Sequence, residues 1–148
     1  MEKATMGATT MGRVVVKAKI ENLTDLLKVS EGSLRSEEVR SIECDAVVDT
    51  GAKLLSLPKR FIDKLGLEYF ATRQAQTAVG YVPCRIYRAV WLSIEGRKCT
   101  VDVAQVSDDA PILIGYVPLE LLDFVVDPVK QQLVPNPEHG GQQVLDLL

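Results

Sequence analysis

Two stretches of this chain alternate apolar and polar residues, and the second runs straight into an acid. Val14, Val16, Ala18 and Ile20 alternate with Val15, Lys17, Lys19 and Glu21; between Val39 and Asp49, Ile42, Cys44, Ala46 and Val48 share one face. A period of two is that of a half-buried β-strand. The second strand enters Asp49-Thr50-Gly51-Ala52 through Ala46-Val47-Val48. This sets a carboxylate at the mouth of a sheet, on the strand face opposite the core residues, where another chain can cover it. The Thr50 hydroxyl can tie nearby backbone, and Gly51 permits a turn and close approach. The plain alternative is an acid capping the following turn. Asp-Thr-Gly arises by accident in roughly 3% of chains this long, so a second signal has to decide.

That signal comes about sixty residues later, as the all-apolar strand Ile112-Leu113-Ile114 stopped by Gly115. Between the two, Pro58 to Leu67 reads as a helix: Pro58 opens it, Phe61, Ile62 and Leu65 share a face, and Gly66 stops it. Gln74 to Ala78 and Arg85 to Ile94 form a hairpin around Val79-Gly80-Tyr81, and Glu95-Gly96 turns the chain into Lys98 to Val106. A short helix is expected around Pro118–Phe124. Val125-Val126 pairs with Leu133-Val134 around a turn containing Pro128. Asn22 to Glu37 reads as a polar connection, with at most one helical turn at Thr24-Asp25-Leu26-Leu27. Many short strands and few helices make an all-β, barrel-like domain with one or two short helices. Residues 1–12 are expected to be a flexible N-terminus, 13–137 the domain, and 138–148 a C-terminal tail.

Bulk properties narrow the function. At 148 residues and 47% apolar content the chain builds one self-sufficient core. A net charge of −3 gives no reason to expect nucleic acid or an anionic membrane as partner. The three cysteines, Cys44, Cys84 and Cys99, are too far apart for a Cys-x-x-Cys pair. Cys44 and Cys99 sit in strand patterns, so buried free thiols in a reducing compartment are expected. No apolar leader opens the chain, and Glu120 and Asp123 interrupt its longest apolar run, so a soluble cytoplasmic protein is expected.

The strand ending in Asp49-Thr50-Gly51 and the later Ile112-Leu113-Ile114-Gly115 together resemble the retropepsin-like aspartic proteases. The helix after the motif and the ending Val125-Val126-Asp127-Pro128 to Leu133-Val134-Pro135-Asn136-Pro137 are similar to cellular and bacterial members. The resemblance spans roughly Arg13 to Pro137. It implies a retropepsin-like acid protease barrel that acts as a homodimer on a polypeptide substrate, each chain giving half of the active site. Asp49 would be catalytic, Thr50, Gly51, Ala52, Ile114 and Gly115 would support it, and Val79, Gly80 and Tyr81 would form a substrate-binding flap. No metal and no organic cofactor are implied. Two departures stand out: viral members usually carry a charged residue, often Arg, where Tyr116 follows Gly115, and the flap here has a single glycine. Met1 and the extra terminal residues favour a stand-alone cellular protease over a piece of a viral polyprotein.

The rival chemistries have little to stand on. His139, the only histidine, lies in Pro137-Glu138-His139-Gly140-Gly141 with no nucleophile motif near it. His139 and three dispersed cysteines match no zinc-ligand spacing. Asp108-Asp109 reads as solvated acids, and no phosphate-cradling glycine loop is present. The alternatives carried forward are a retropepsin-fold dimer that binds peptides or assembles partners without cleaving them, and a plain β-barrel interaction module.

Overall fold

The computed structural model describes residues 13–147, so the expectation for residues 1–12 lies outside it. In chain order the elements are β1 (Val14–Asn22), α1 (Leu23–Glu31), β2 (Ser41–Val48), β3 (Leu55–Pro58), α2 (Lys59–Leu65), β4 (Glu68–Thr77), β5 (Gly80–Ile94), β6 (Arg97–Val106), β7 (Leu113–Ile114), α3 (Tyr116–Leu122), β8 (Phe124–Asp127) and β9 (Gln132–Pro135). Seven strands make one mixed sheet in the order β1-β2-β7-β3-β6-β5-β4, and β1 also pairs with β5. The first six thus join into a ring, and β4 extends one arm of β5 outside it. The β8–β9 hairpin forms separately, with Val126 opposite Leu133 and Val125 opposite Val134.

The two alternating stretches are neighbours. β1 and β2 run antiparallel from Val14↔Val48 to Glu21↔Ser41, which turns Ala18, Ile20, Ile42 and Ala46 inward together. β3 lies between two strands, parallel to β6 and antiparallel to β7, and all four of its residues are buried. A strand covered on both faces has no polar side to alternate with, which is why Leu55-Ser56-Leu57-Pro58 shows no period. Ile20, Leu55, Leu57, Leu92, Val103 and Ile114 are fully buried at the centre of the ring. The molecule is therefore all-β in class, and no helix among the described residues is long and apolar enough to cross a membrane.

One element departs from expectation. The stretch read as a polar connection holds a nine-residue helix, α1, which makes three short helices rather than one or two. The Asn22 side chain accepts from the amide of Asp25 at 2.9 Å to cap its start. Its one buried residue is charged: Asp25 is 3% exposed and takes a forked pair of hydrogen bonds from Arg40 Nε and Nη2, both at 2.9 Å. The Arg40 amide adds a third at 3.0 Å. Asn22 Nδ2 donates to the Leu65 carbonyl at 2.8 Å, tying the start of α1 to the end of α2. Arg40 lies over Gly66, where any Cβ would meet the guanidinium at 1.8 Å. Leu23, Leu26 and Leu27 do fall at helical spacing, but three residues among so many polar neighbours make a short signal, and none of them is fully buried.

The Arg40 hydrogen bonds hold the Asp25 carboxyl below its usual range. A depressed folded pKa contributes stability that is fully present above the unfolded value, about 4, and is lost as pH falls through the lower folded value. Asp25→Ala removes the acceptor of three hydrogen bonds, and because the Arg40 side chain is half-exposed and water can reach its guanidinium, the expected loss is about 2 kcal/mol in denaturant unfolding at neutral pH. The gap between variant and wild type should close as the pH is taken below the folded carboxyl's range.

Candidate active site

In the sheet order β7 lies between β2 and β3, yet the chain runs directly from β2 to β3. Residues 49–54 must therefore cross over the end of β7, where Gly115 follows Ile114. β2 and β7 are parallel, with Val47 opposite Leu113 and Val48 opposite Ile114. The Val47 amide donates to the Ile112 carbonyl at 2.8 Å and the Asp49 amide to the Ile114 carbonyl at 2.9 Å. Ile114 is itself fully buried. Asp49 thus leaves the sheet from a fixed backbone position.

The crossing itself is sewn down by three amides beyond β7. Gly115 N donates to Leu54 O at 2.9 Å, Tyr116 N to Ala52 O at 2.9 Å and Val117 N to Lys53 O at 3.0 Å. These are first amides of α3 and its cap, groups that a helix leaves unpaired. The loop carbonyls supply what the helix lacks. A Cβ on Gly115 would sit 2.6 Å from Ala52 O, Leu54 O and the Lys53 carbonyl carbon, all of them backbone. Gly115 is extended, with φ −85° and ψ −176°, so the glycine answers to lack of space and not to a special backbone shape. Gly115 is thus packed directly against the backbone of the loop that carries Asp49.

Within the loop the Asp49 side chain is oriented by its neighbours. The Gly51 amide donates to Asp49 Oδ1 at 2.9 Å, and the Ala52 amide to the Asp49 carbonyl at 3.1 Å. A Cβ on Gly51 would approach that carboxylate oxygen to 3.2 Å. Asp49, Thr50 and Gly51 are exposed on the single chain, and Ala52 is half-buried. Among the described residues neither Asp49 Oδ2 nor the Thr50 hydroxyl takes part in a hydrogen bond. The arrangement holds one carboxylate oxygen by an amide and leaves the residue exposed on the single chain.

The structure thus brings Asp49, Thr50, Gly51 and Ala52 together with Ile114 and Gly115. It does not join Val79, Gly80 and Tyr81 to them. That hairpin turns through Ala78-Val79, with Thr77 opposite Gly80, and the Thr77 hydroxyl donates to the Gly80 carbonyl at 2.8 Å. Val79 is 89% and Tyr81 73% exposed, and no hydrogen bond among the described residues links the turn to the Asp49 loop. Lys53 and Leu54 support the loop through their carbonyls and were not foreseen, because a backbone oxygen leaves no mark on residue type.

The remaining candidates fall elsewhere. The three thiols are unpaired, and burial pushes Cys44 and Cys99 up to about 11, which makes poor nucleophiles of them. No group of three or more His, Cys, Asp or Glu side chains among the described residues converges as a metal cage. His139 is not in an open loop: it sits in a 3-10 turn, Pro137–His139, with Nδ1 2.5 Å from Asp123 Oδ2.

Comparison with known proteins bears on the same stretch. Residues 36–117, more than half of the chain, match the family described as aspartyl protease. The match begins before β2 and ends at the amides that hold the loop. No curated protein matches the chain.

Gly115→Ala tests the crossing. Its Cβ can be accommodated only by lifting the loop or the start of α3. The expected result is a loss of about 2 kcal/mol or more in denaturant unfolding. An unchanged midpoint would mean that the loop does not press on this residue.

Proposed function

The chain belongs to the aspartyl protease family, in its retropepsin-like branch, and on that premise we propose that it is an endopeptidase completed by a second copy of itself. The observation that carries the reading is a single exposed, amide-oriented Asp49 in a chain with one Asp-Thr-Gly. Hydrolysis by carboxylates needs two of them, one ionised and one protonated. A pair sharing one proton is the known behaviour of aspartic proteases as a class, because two like charges a few ångströms apart do not both ionise. With one motif per chain, the second acid comes from an identical chain across a two-fold axis.

In such a pair the ionised Asp49 takes a proton from water as the oxygen bonds to the peptide carbonyl carbon. The protonated Asp49 of the other copy hydrogen-bonds to the carbonyl oxygen and stabilises the charge that develops there. Collapse of the tetrahedral intermediate breaks the C–N bond. The nitrogen takes a proton from the carboxyl pair, and the products are a new carboxyl end and a new amine. Thr50 would hydrogen-bond across the two loops, and its exposure on the single chain is consistent with that task. Gly51 leaves room beside the carboxylate for substrate backbone. The β4–β5 hairpin would lie over an extended peptide and bond to its backbone, with Val79, Gly80 and Tyr81 at its tip.

The test is cleavage of an unfolded protein by the purified chain, scanned across roughly pH 4 to 8. Asp49→Asn should cut turnover by at least about a hundredfold. Specific activity should rise with chain concentration until sedimentation shows a saturated dimer. Turnover that survives the Asn substitution removes Asp49 from the mechanism. A dimer that binds peptide and never cuts it would instead be the non-catalytic module of the same fold.

A further inference from the structure

α3 has only seven residues, and its two ends do different things. Its first amides hold the Asp49 loop. Its last residue is followed by Asp123, which has a left-handed backbone (φ 61°) and is 7% exposed. The Asp123 carboxylate accepts from His139 Nδ1 at 2.5 Å, from the Val144 amide at 3.0 Å and from Asn136 Nδ2 at 3.2 Å. Its carbonyl accepts from the Asn136 amide at 3.0 Å and from Arg97 Nη1 at 2.8 Å. Arg97 also reaches Leu122 O at 3.0 Å and Gly141 O at 2.8 Å. Gln143 Nε2 donates to Leu121 O at 2.9 Å and to Lys98 O at 3.1 Å.

A buried carboxylate stripped of its donors is costly, so this arrangement is either made as a whole or opened to water. We propose that residues 136–144 form a clasp closed on Asp123 at the end of α3, and that the closed clasp keeps the helix's other end seated on the Asp49 loop. Asp123 is then a positioning residue, acting through α3 on a loop that it does not touch. The inference goes beyond proteolysis and does not require it.

The charged groups facing Asp123 are His139 and Arg97, with Glu120 and Asp146 lining the same cavity of about 550 Å³. The Val144 amide first, then His139 and Asn136, hold the Asp123 carboxyl below its ordinary range. A depressed carboxyl gives a clasp that is closed above about pH 4 and opens as the pH falls through the lower folded value.

Amide hydrogen exchange, corrected for intrinsic rates, tests this on the full chain. Asp123→Asn removes the charge yet suits the left-handed backbone, which Asn tolerates. His139→Ala removes one donor from the periphery and guards against misfolding of the first variant. At neutral pH both should speed exchange at the Val144 amide about tenfold, and at Gly115, Tyr116 and Val117 by about threefold or more. The difference between wild type and the Asp123→Asn variant should vanish once the pH is below the folded carboxyl's range. The proposal is overturned by a Val144 amide that is unprotected in the wild type, by a faster Val144 with unchanged Gly115 to Val117, or by a difference that persists in acid. A chain that cleaves nothing would leave these rates untouched, so the two readings fail separately.

Discussion

Everything at the candidate site depends on one backbone crossing. The chain passes from β2 to β3 over the end of the strand that lies between them, and the two layers of backbone touch at Gly115. Contact this close has no room for a side chain. It also has no room for water, so the peptide groups brought together must satisfy one another. They do so through the amides of residues 115–117 and the carbonyls of residues 52–54. A loop on a β-barrel is ordinarily among its softer parts. This one is held to an interior strand of the ring, since β7 beneath it carries the fully buried Ile114 and pairs on both sides.

On the proposed reading, rigidity here would serve a chemical end. A carboxylate that is to meet its twin across a symmetry axis has to be placed accurately before the partner arrives, or the ordering would be charged against dimer formation. Asp49 has its backbone fixed by the Ile114 carbonyl and one oxygen fixed by the Gly51 amide, while its outer face is bare. The same features that make the loop look unfinished on one chain suit it to be half of something.

How much of this was legible beforehand follows from where the information sits. β1 and β2 announced themselves because each has a buried and a solvated face, and a period of two survives in the residue types. The β8–β9 pairing was legible from its turn residues and apolar ends. Asp49 and Gly115 could be singled out because an acid and a glycine ended two apolar strands. That the second glycine presses on the first strand's loop could not be read, since the contact is between backbone atoms sixty residues apart in the chain. α1 was missed for a different reason. Its buried residue is Asp25, whose partner Arg40 lies beyond the helix, and no local pattern reports a salt bridge of that kind. The contacts that residues 138–148, read as a C-terminal tail, make with Asp123 were illegible for the same cause: Asp123 is the cap of another helix.

These two buried acids sharpen the case for the exposed one. Asp25 accepts three hydrogen bonds, two of them from a guanidinium, and Asp123 accepts three more. In each the donors hold the carboxyl below its usual range, so it stays ionised and its lone pairs are engaged. Such a group can neither lend a proton nor take one from water at ordinary pH. They are structural acids, and their burial makes sense only as fully paired charge. Asp49 is built the other way, exposed and with a single amide donor and no ion pair among the described residues. Of these three acids Asp49 alone is exposed and held by a single amide, and on the proposed reading a second copy of itself is the neighbour it would meet.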